Sequence, residues 1–142
     1  MSSEEWPSVE GPVFHNVFDF VSNYLAEVYR RQVTDVSDRV WCPQWWEHPE
    51  AWARFTALWQ AWEAARVGSA DDMSRWWLGH ADNHMKVLLD VQGPFVYCSV
   101  RDGHRPTLGP LPIEEPRTVD EVDALRQDEA GSPSSNGRPP GN

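Results

Sequence analysis

Pro49-Glu50-Ala51-Trp52-Ala53-Arg54-Phe55-Thr56-Ala57-Leu58-Trp59-Gln60-Ala61-Trp62-Glu63-Ala64-Ala65-Arg66 has the spacing of one long amphipathic helix. Trp52, Phe55, Leu58, Trp59 and Trp62 line one side, and proline stands at the first turn, where its missing N–H costs nothing. Gly68-Ser69 ends the pattern. The opposite side carries Ala53, Ala57, Ala61 and Ala64, which read as strong helix formers rather than as a close-packing stripe. Eight of the nine tryptophans lie between Trp41 and Trp77. Each buries roughly 150–250 Å² when inside, so these residues mark the core of the ordered domain.

Working outward, Val13/Phe14, Val17/Phe18, Val21, Tyr24/Leu25 and Val28/Tyr29 predict a first helix behind Gly11-Pro12. Between Pro43 and Pro49 only a turn of helix fits. Beyond Gly68, Asp71 or Asp72 can cap a third helix with Met73, Trp76, Trp77 and His80 on one face, weakened at its end by Gly79. Asp82 can cap a fourth, through Leu89. The competing reading pairs Lys86–Asp90 with Phe95–Val100 as a hairpin, and the helix is preferred. Phe95-Val96-Tyr97-Cys98-Ser99-Val100 reads as a short extended segment. The fold class is therefore all-α: a small Trp-rich bundle of three to four helices with one extended segment and a disordered C-terminal tail. The expected division is a flexible leader over 1–12, the helical domain over 13–105, and an acidic Pro/Gly-rich tail over 106–142.

The formal charge is −10, with 22 acidic and 12 basic side chains. Residues 1–35 hold six acids and two bases, 106–142 seven and three, and the middle nine and seven. An acidic chain gains nothing from counterion release, so direct DNA binding is disfavoured. The tail has seven prolines and four glycines in 37 residues, too little apolar material to offset chain entropy, with at most a helical turn at Asp120–Arg126. No apolar run spans a membrane and no signal peptide is visible, so a cytoplasmic protein is expected.

Reactive side chains are few. Cys42, His80, His84 and Cys98 form the candidate metal set, with His80 and His84 at i, i+4 on one helix side and zinc as the ion that two thiolates and two imidazoles would take. No Cys-x-x-Cys pair announces such a site. The alternative leaves the cysteines as small buried hydrophobes and the histidines at helix ends. A hydrolase would need Cys42 as nucleophile with His48 or His84, or His84 with Asp82 and Asp72; no phosphate loop, Gly-x-Ser-x-Gly elbow or His-Glu-x-x-His helix occurs, so no enzyme is expected. Trp45, Trp46 and Trp52 are the candidate binding residues, since a body this small cannot hide every indole. Trp52 merely edging the core and Trp45-Trp46 folding back as a lid is the structural counterpart of that reading.

Five stretches together resemble an actinobacterial family of unknown function over about residues 13–105: Val28-Tyr29-Arg30-Arg31, Trp41-Cys42-Pro43-Gln44-Trp45-Trp46-Glu47-His48-Pro49-Glu50-Ala51, Leu58-Trp59-Gln60-Ala61-Trp62-Glu63, Trp76-Trp77-Leu78-Gly79-His80-Ala81-Asp82-Asn83-His84-Met85, and Gly93-Pro94-Phe95 with Cys98 and His104. Asn83 departs from that pattern, where proline is frequent. The resemblance implies a small protein encoded with plasmid, phage and conjugative-element genes and carries over no catalytic residue. The expectation is a non-enzymatic interaction module for a protein partner in mobile-element DNA transfer or maintenance, with a homo-oligomer also open. The alternative is a zinc-stabilised nucleic-acid-associated adaptor or, further off, a Cys/His hydrolase.

Overall fold

The computed structural model describes residues 11–106, 108–116 and 118–131; most of the leader and residues 132–142 of the tail lie outside the described residues. The chain divides into two units, Met1–Leu108 and Gly109–Asn142. Four helices and no strand are found among the described residues.

Helix α1 covers residues 17–28. It is α-helical over Val17–Phe20, π-wound over Val21–Leu25 and α-helical again over Ala26–Val28. It starts later than the hydrophobic spacing suggests, because the Asn16 side chain accepts the Asp19 N–H at 2.7 Å and so caps it. The amides of Val13 and Phe14 go instead to the two carboxylate oxygens of Glu63, at 2.9 Å each. A single 3-10 turn, Trp45–Glu47, occupies the gap between the prolines. Helix α2, Pro49–Arg66, buries Ala51, Phe55, Leu58 and Trp62. Ala53, Ala57 and Ala64 face outward, consistent with helix propensity as their role.

The expected third and fourth helices are one. Helix α3 covers residues 72–88, α-helical over Asp72–Arg75, π-wound over Trp76–Ala81 and α-helical over Asp82–Leu88. Asp82 is therefore not a cap: it sits in right-handed helical backbone at φ −61° and ψ −41°. The wide turn absorbs Gly79, and Asn83 Nδ2 donates to the Gly79 carbonyl at 2.9 Å. The run expected to be extended at 95–100 is built from tight turns, with Val96 N–H donating to Gly93 O at 3.2 Å and Cys98 N–H to Phe95 O at 2.9 Å. The preferred helix over the rival hairpin is what the structure shows, and Leu89 O accepts the Val40 N–H at 2.9 Å, fastening the 39–42 segment to the end of α3.

The core is aromatic. Phe14, Phe20, Tyr24 and Trp62 meet at centroid distances of 4.8–6.4 Å, with Trp76 edge-on to Phe20. Trp76 Nε1–H donates to the Leu58 carbonyl at 3.0 Å, satisfying the one polar atom that this buried indole carries. Glu63 accepts from Trp59 and Arg66 as well as from the two amides. Burial opposes its charge, and those hydrogen bonds from Phe14, Arg66, Val13 and Trp59 outweigh it, holding the carboxyl below its usual range.

In the second unit, Val119–Gly131 forms helix α4, longer than the turn expected at 120–126, with Thr118 Oγ1 accepting the Glu121 N–H.

Candidate metal centre

Two loops and a helix start build the site. Val40 pairing with Leu89 leads the chain into Trp41 and Cys42, whose side chain is fully buried. The 3-10 turn then delivers His48 to the N-cap of α2. Its backbone is extended, and its carbonyl accepts the Trp52 N–H at 2.9 Å. Its ring caps nothing; it is 2 % exposed and turns inward. From α3, Gly93 allows a turn that no other residue would fit, since a Cβ there would collide with the Val87 carbonyl. Pro94 and the buried Phe95 follow, and then Cys98. A five-residue return closed by Ser99 and Gly103, the latter at φ 79°, brings His104 back beside Cys98.

Cys42, His48, Cys98 and His104 thus place one ligand atom each within 4.8 Å of one another. Cys42 Sγ lies 3.2 Å from His104 Nδ1, Cys98 Sγ 3.4 Å from His48 Nε2 and 3.9 Å from His104 Nδ1. The two imidazoles stand nearly perpendicular, with centroids 4.9 Å apart. Both thiols are free and buried. These four residues can hold a metal ion.

Burial is the main influence on the ionisation of two of these donors. Burial, followed by the adjacent Cys98, pushes the Cys42 thiol up to about 12. Burial and then His104 lower the pKa of His48, so its ring is neutral, the form that ligates. Supporting contacts surround the donors: the Pro94 backbone hydrogen-bonds the His48 imidazole, Phe95 packs edge-on against it at 4.9 Å, and the Arg105 N–H donates to Cys98 Sγ at 3.4 Å. Such partners fix the orientation of metal-bound residues.

Of the set expected from sequence, Cys42 and Cys98 converge, and the histidines beside them are His48 and His104. His80 is exposed on the π-wound turn, near Ala61, Asp72 and Arg75. His84 Nδ1 lies 3.0 Å from Arg54 Nη1, on the side of α3 that meets α2. The carboxylates considered with His84 have separate partners: Asp82 accepts from the Tyr29 hydroxyl at 3.1 Å, and Asp72 from Ser69. The missed signal is a repeated spacing. Cys42 and His48 are separated by five residues, and so are Cys98 and His104.

A family model for a domain of unknown function, DUF4913, matches residues 14–117. The chain belongs to the DUF4913 family. No curated protein and no solved structure matches it. The DUF4913 match contains all four clustered ligands, and no helix among the described residues is long and apolar enough to cross a membrane.

The candidate binding tryptophans lie together at the other side of the Trp45 turn. Trp46 and Trp52 are 40 % and 45 % exposed, whereas Trp45 is 4 % exposed. Trp45 lies sandwiched: it stacks on Trp52 at 5.9 Å and on Phe18 at 6.0 Å, and meets Phe55 edge-on at 5.0 Å. Phe18, itself 45 % exposed, extends the surface through contact with Trp46 at 5.5 Å.

Proposed function

We propose that the DUF4913 domain of this chain is a zinc-stapled, non-catalytic protein-interaction module. The observation that carries the reading is the convergence of two thiols and two imidazoles from segments that are distant in sequence. In a tetrahedral N/S shell, bonds of about 2.0–2.3 Å leave neighbouring donors roughly 3.3–3.8 Å apart; three of the six separations here, 3.2, 3.4 and 3.9 Å, lie near that range, and all fall within 4.8 Å. Four protein ligands make a closed site, the structural type; a catalytic zinc keeps a position open. When bound, zinc would supply cross-linking, joining the Trp41–His48 loop to the 94–105 loop.

The working surface in this reading is the patch of Phe18, Trp46 and Trp52 over Trp45. Clustered exposed aromatic rings on a rigid base are the composition of interaction hot spots. We place the protein partner in a mobile-element DNA-transfer or maintenance system on the strength of the sequence resemblance.

The test is elemental analysis of the purified full-length protein. About one zinc per chain is expected, with both thiols protected from maleimide until a chelator is added. Cys98→Ser should lose the metal. Because that variant risks misfolding, His104→Ala, at the half-buried ligand, serves as the second: it should retain helical circular dichroism while its zinc content falls. A stably folded wild type that never takes up zinc and alkylates at once on denaturation, with no chelator effect, would overturn the reading.

A further inference from the structure

A second site lies where α1, the 29–33 segment, Trp41 and the end of α3 border a cavity of about 270 Å³. Its floor is apolar: Val21, Leu25, Met85 and Leu89, all buried, with Trp41 at one wall. An adjoining cavity of about 290 Å³ shares Tyr29, Arg31, Met85 and Leu89 and reaches Arg39 and Lys86. Together they make a trough with an oily base and a cationic rim.

The rim is unusual for this chain. The protein carries −10, yet Arg30, Arg31, Arg39 and Lys86 collect here against Asp38 and Asp90. Arg30 and Arg39 have exposed carboxylate neighbours, Glu27 at 3.3 Å and Asp38 at 3.9 Å. Arg31 and Lys86 form no ion pair among the described residues. Arg31 is nevertheless held in place: its guanidinium lies 4.2 Å over the Tyr29 ring, which stacks at 8° on Trp77 and is tied through its hydroxyl to Asp82. Its Nη1 donates to the Arg30 carbonyl at 2.9 Å, leaving other donors of the fork uncommitted.

We propose that this trough binds a small anionic amphiphile, an apolar chain with a carboxylate or phosphate head. The apolar body would lie in the cavity over Met85 and Leu89, and the head would pair with Arg31, with Lys86 and Arg39 behind it. Apolar walls with one fixed charged group are the composition of small-molecule sites, which start near 300 Å³, the scale of these cavities. Charge complementarity selects the head: an anion is drawn to this rim and repelled by the acidic remainder, so a soluble anion lacking an apolar body has little to hold it. None of the four clustered metal donors lines the trough, although its wall residue Trp41 precedes Cys42 in the chain.

The test uses full-length protein and four probes below their critical micelle concentrations: decanoate, decyl phosphate, decanol and inorganic phosphate, followed by tryptophan fluorescence and calorimetry. Both anionic amphiphiles should bind, and Arg31→Gln should weaken them by about tenfold, the scale of one charge-assisted hydrogen bond. Decanol should bind less tightly and be indifferent to that change. Ala26→Phe, an exposed helix position at the mouth, should block all binding while zinc content and circular dichroism stay as in the wild type. Four results would each overturn the proposal: no binding of any probe, decanol binding as tightly as decanoate, inorganic phosphate binding as tightly as decyl phosphate, or displacement of the probes by an acidic amphipathic helical peptide that binds more tightly than either of them.

Discussion

The two ends of the domain hold themselves together by different means. Where α1, α2 and α3 meet, Phe14, Phe20, Tyr24, Trp62 and Trp76 interlock through broad apolar surfaces on regular elements. At the other end, the Trp41–His48 and 94–105 loops have little helix between them and meet at four heteroatoms within 4.8 Å. The first end rests on apolar area, whereas the second adds a directional cluster of donors to the buried Trp45 and Phe95. On the zinc reading proposed above, a small domain with free cysteines would keep an irregular lobe by adding a few metal ligands to the apolar area its loops bury.

The comparison breaks most decisively at Trp76. Replacing it with Ala removes a fully buried indole together with its hydrogen bond to the Leu58 carbonyl, so a loss of about 3–5 kcal/mol is expected by chemical denaturation. If the protein remains folded at low denaturant, its zinc content should stay near one per chain, because the indole touches none of the ligands. Loss of zinc in step with stability would show that the two ends are one cooperative unit.

Glu63 gives a smaller and pH-dependent effect. Its folded pKa is depressed, so the stability it contributes is fully present above its unfolded value near 4.5 and is lost as pH falls through the lower folded value. Glu63→Gln should therefore flatten the acid limb of a melting-temperature profile and cost about 1–2 kcal/mol at pH 7, the scale of charge-assisted hydrogen bonds. An unchanged acid limb would show that the clasp on Val13 and Phe14 is not formed in solution.

The smallest effect on stability is expected on the aromatic face. Trp46→Ala removes one half-exposed ring with its contacts to Phe18 and Trp45 and should cost about 1 kcal/mol, while weakening capture of the proposed partner. A cost comparable to that of Trp76→Ala would assign this ring to the core instead.

Much of this was legible. The Pro49–Arg66 helix and its inward Phe55, Leu58 and Trp62 follow from spacing, and the 3-10 turn from the bracketing prolines. The π-wound turns were not legible, since local spacing treats each helix as ideal and the wide turns arise where Val21–Leu25 and Trp76–Ala81 fit their neighbours. That is also why the third and fourth helices were separated at Gly79. On the binding face, Trp45 and Trp46 are adjacent in sequence, and only the tertiary position of Phe18 and Trp52 decides which indole is covered. In the metal set, helical spacing points to His80 and His84, which stand at i, i+4 on one helix side. His48 and His104 sit in irregular segments where periodicity carries no information, although the twice-used five-residue gap was present throughout.

That repeated gap has a consequence for assembly. Each hook offers one sulfur and one nitrogen, half of a tetrahedral complement, and the hooks lie on opposite sides of α2 and α3 in the chain. Neither can retain an ion tightly by itself. On the zinc reading proposed above, high affinity would arise only after the intervening helices have docked, so occupancy would work as a built-in checkpoint: a nascent or truncated polypeptide with a single hook would surrender its cargo, and the finished body would keep it.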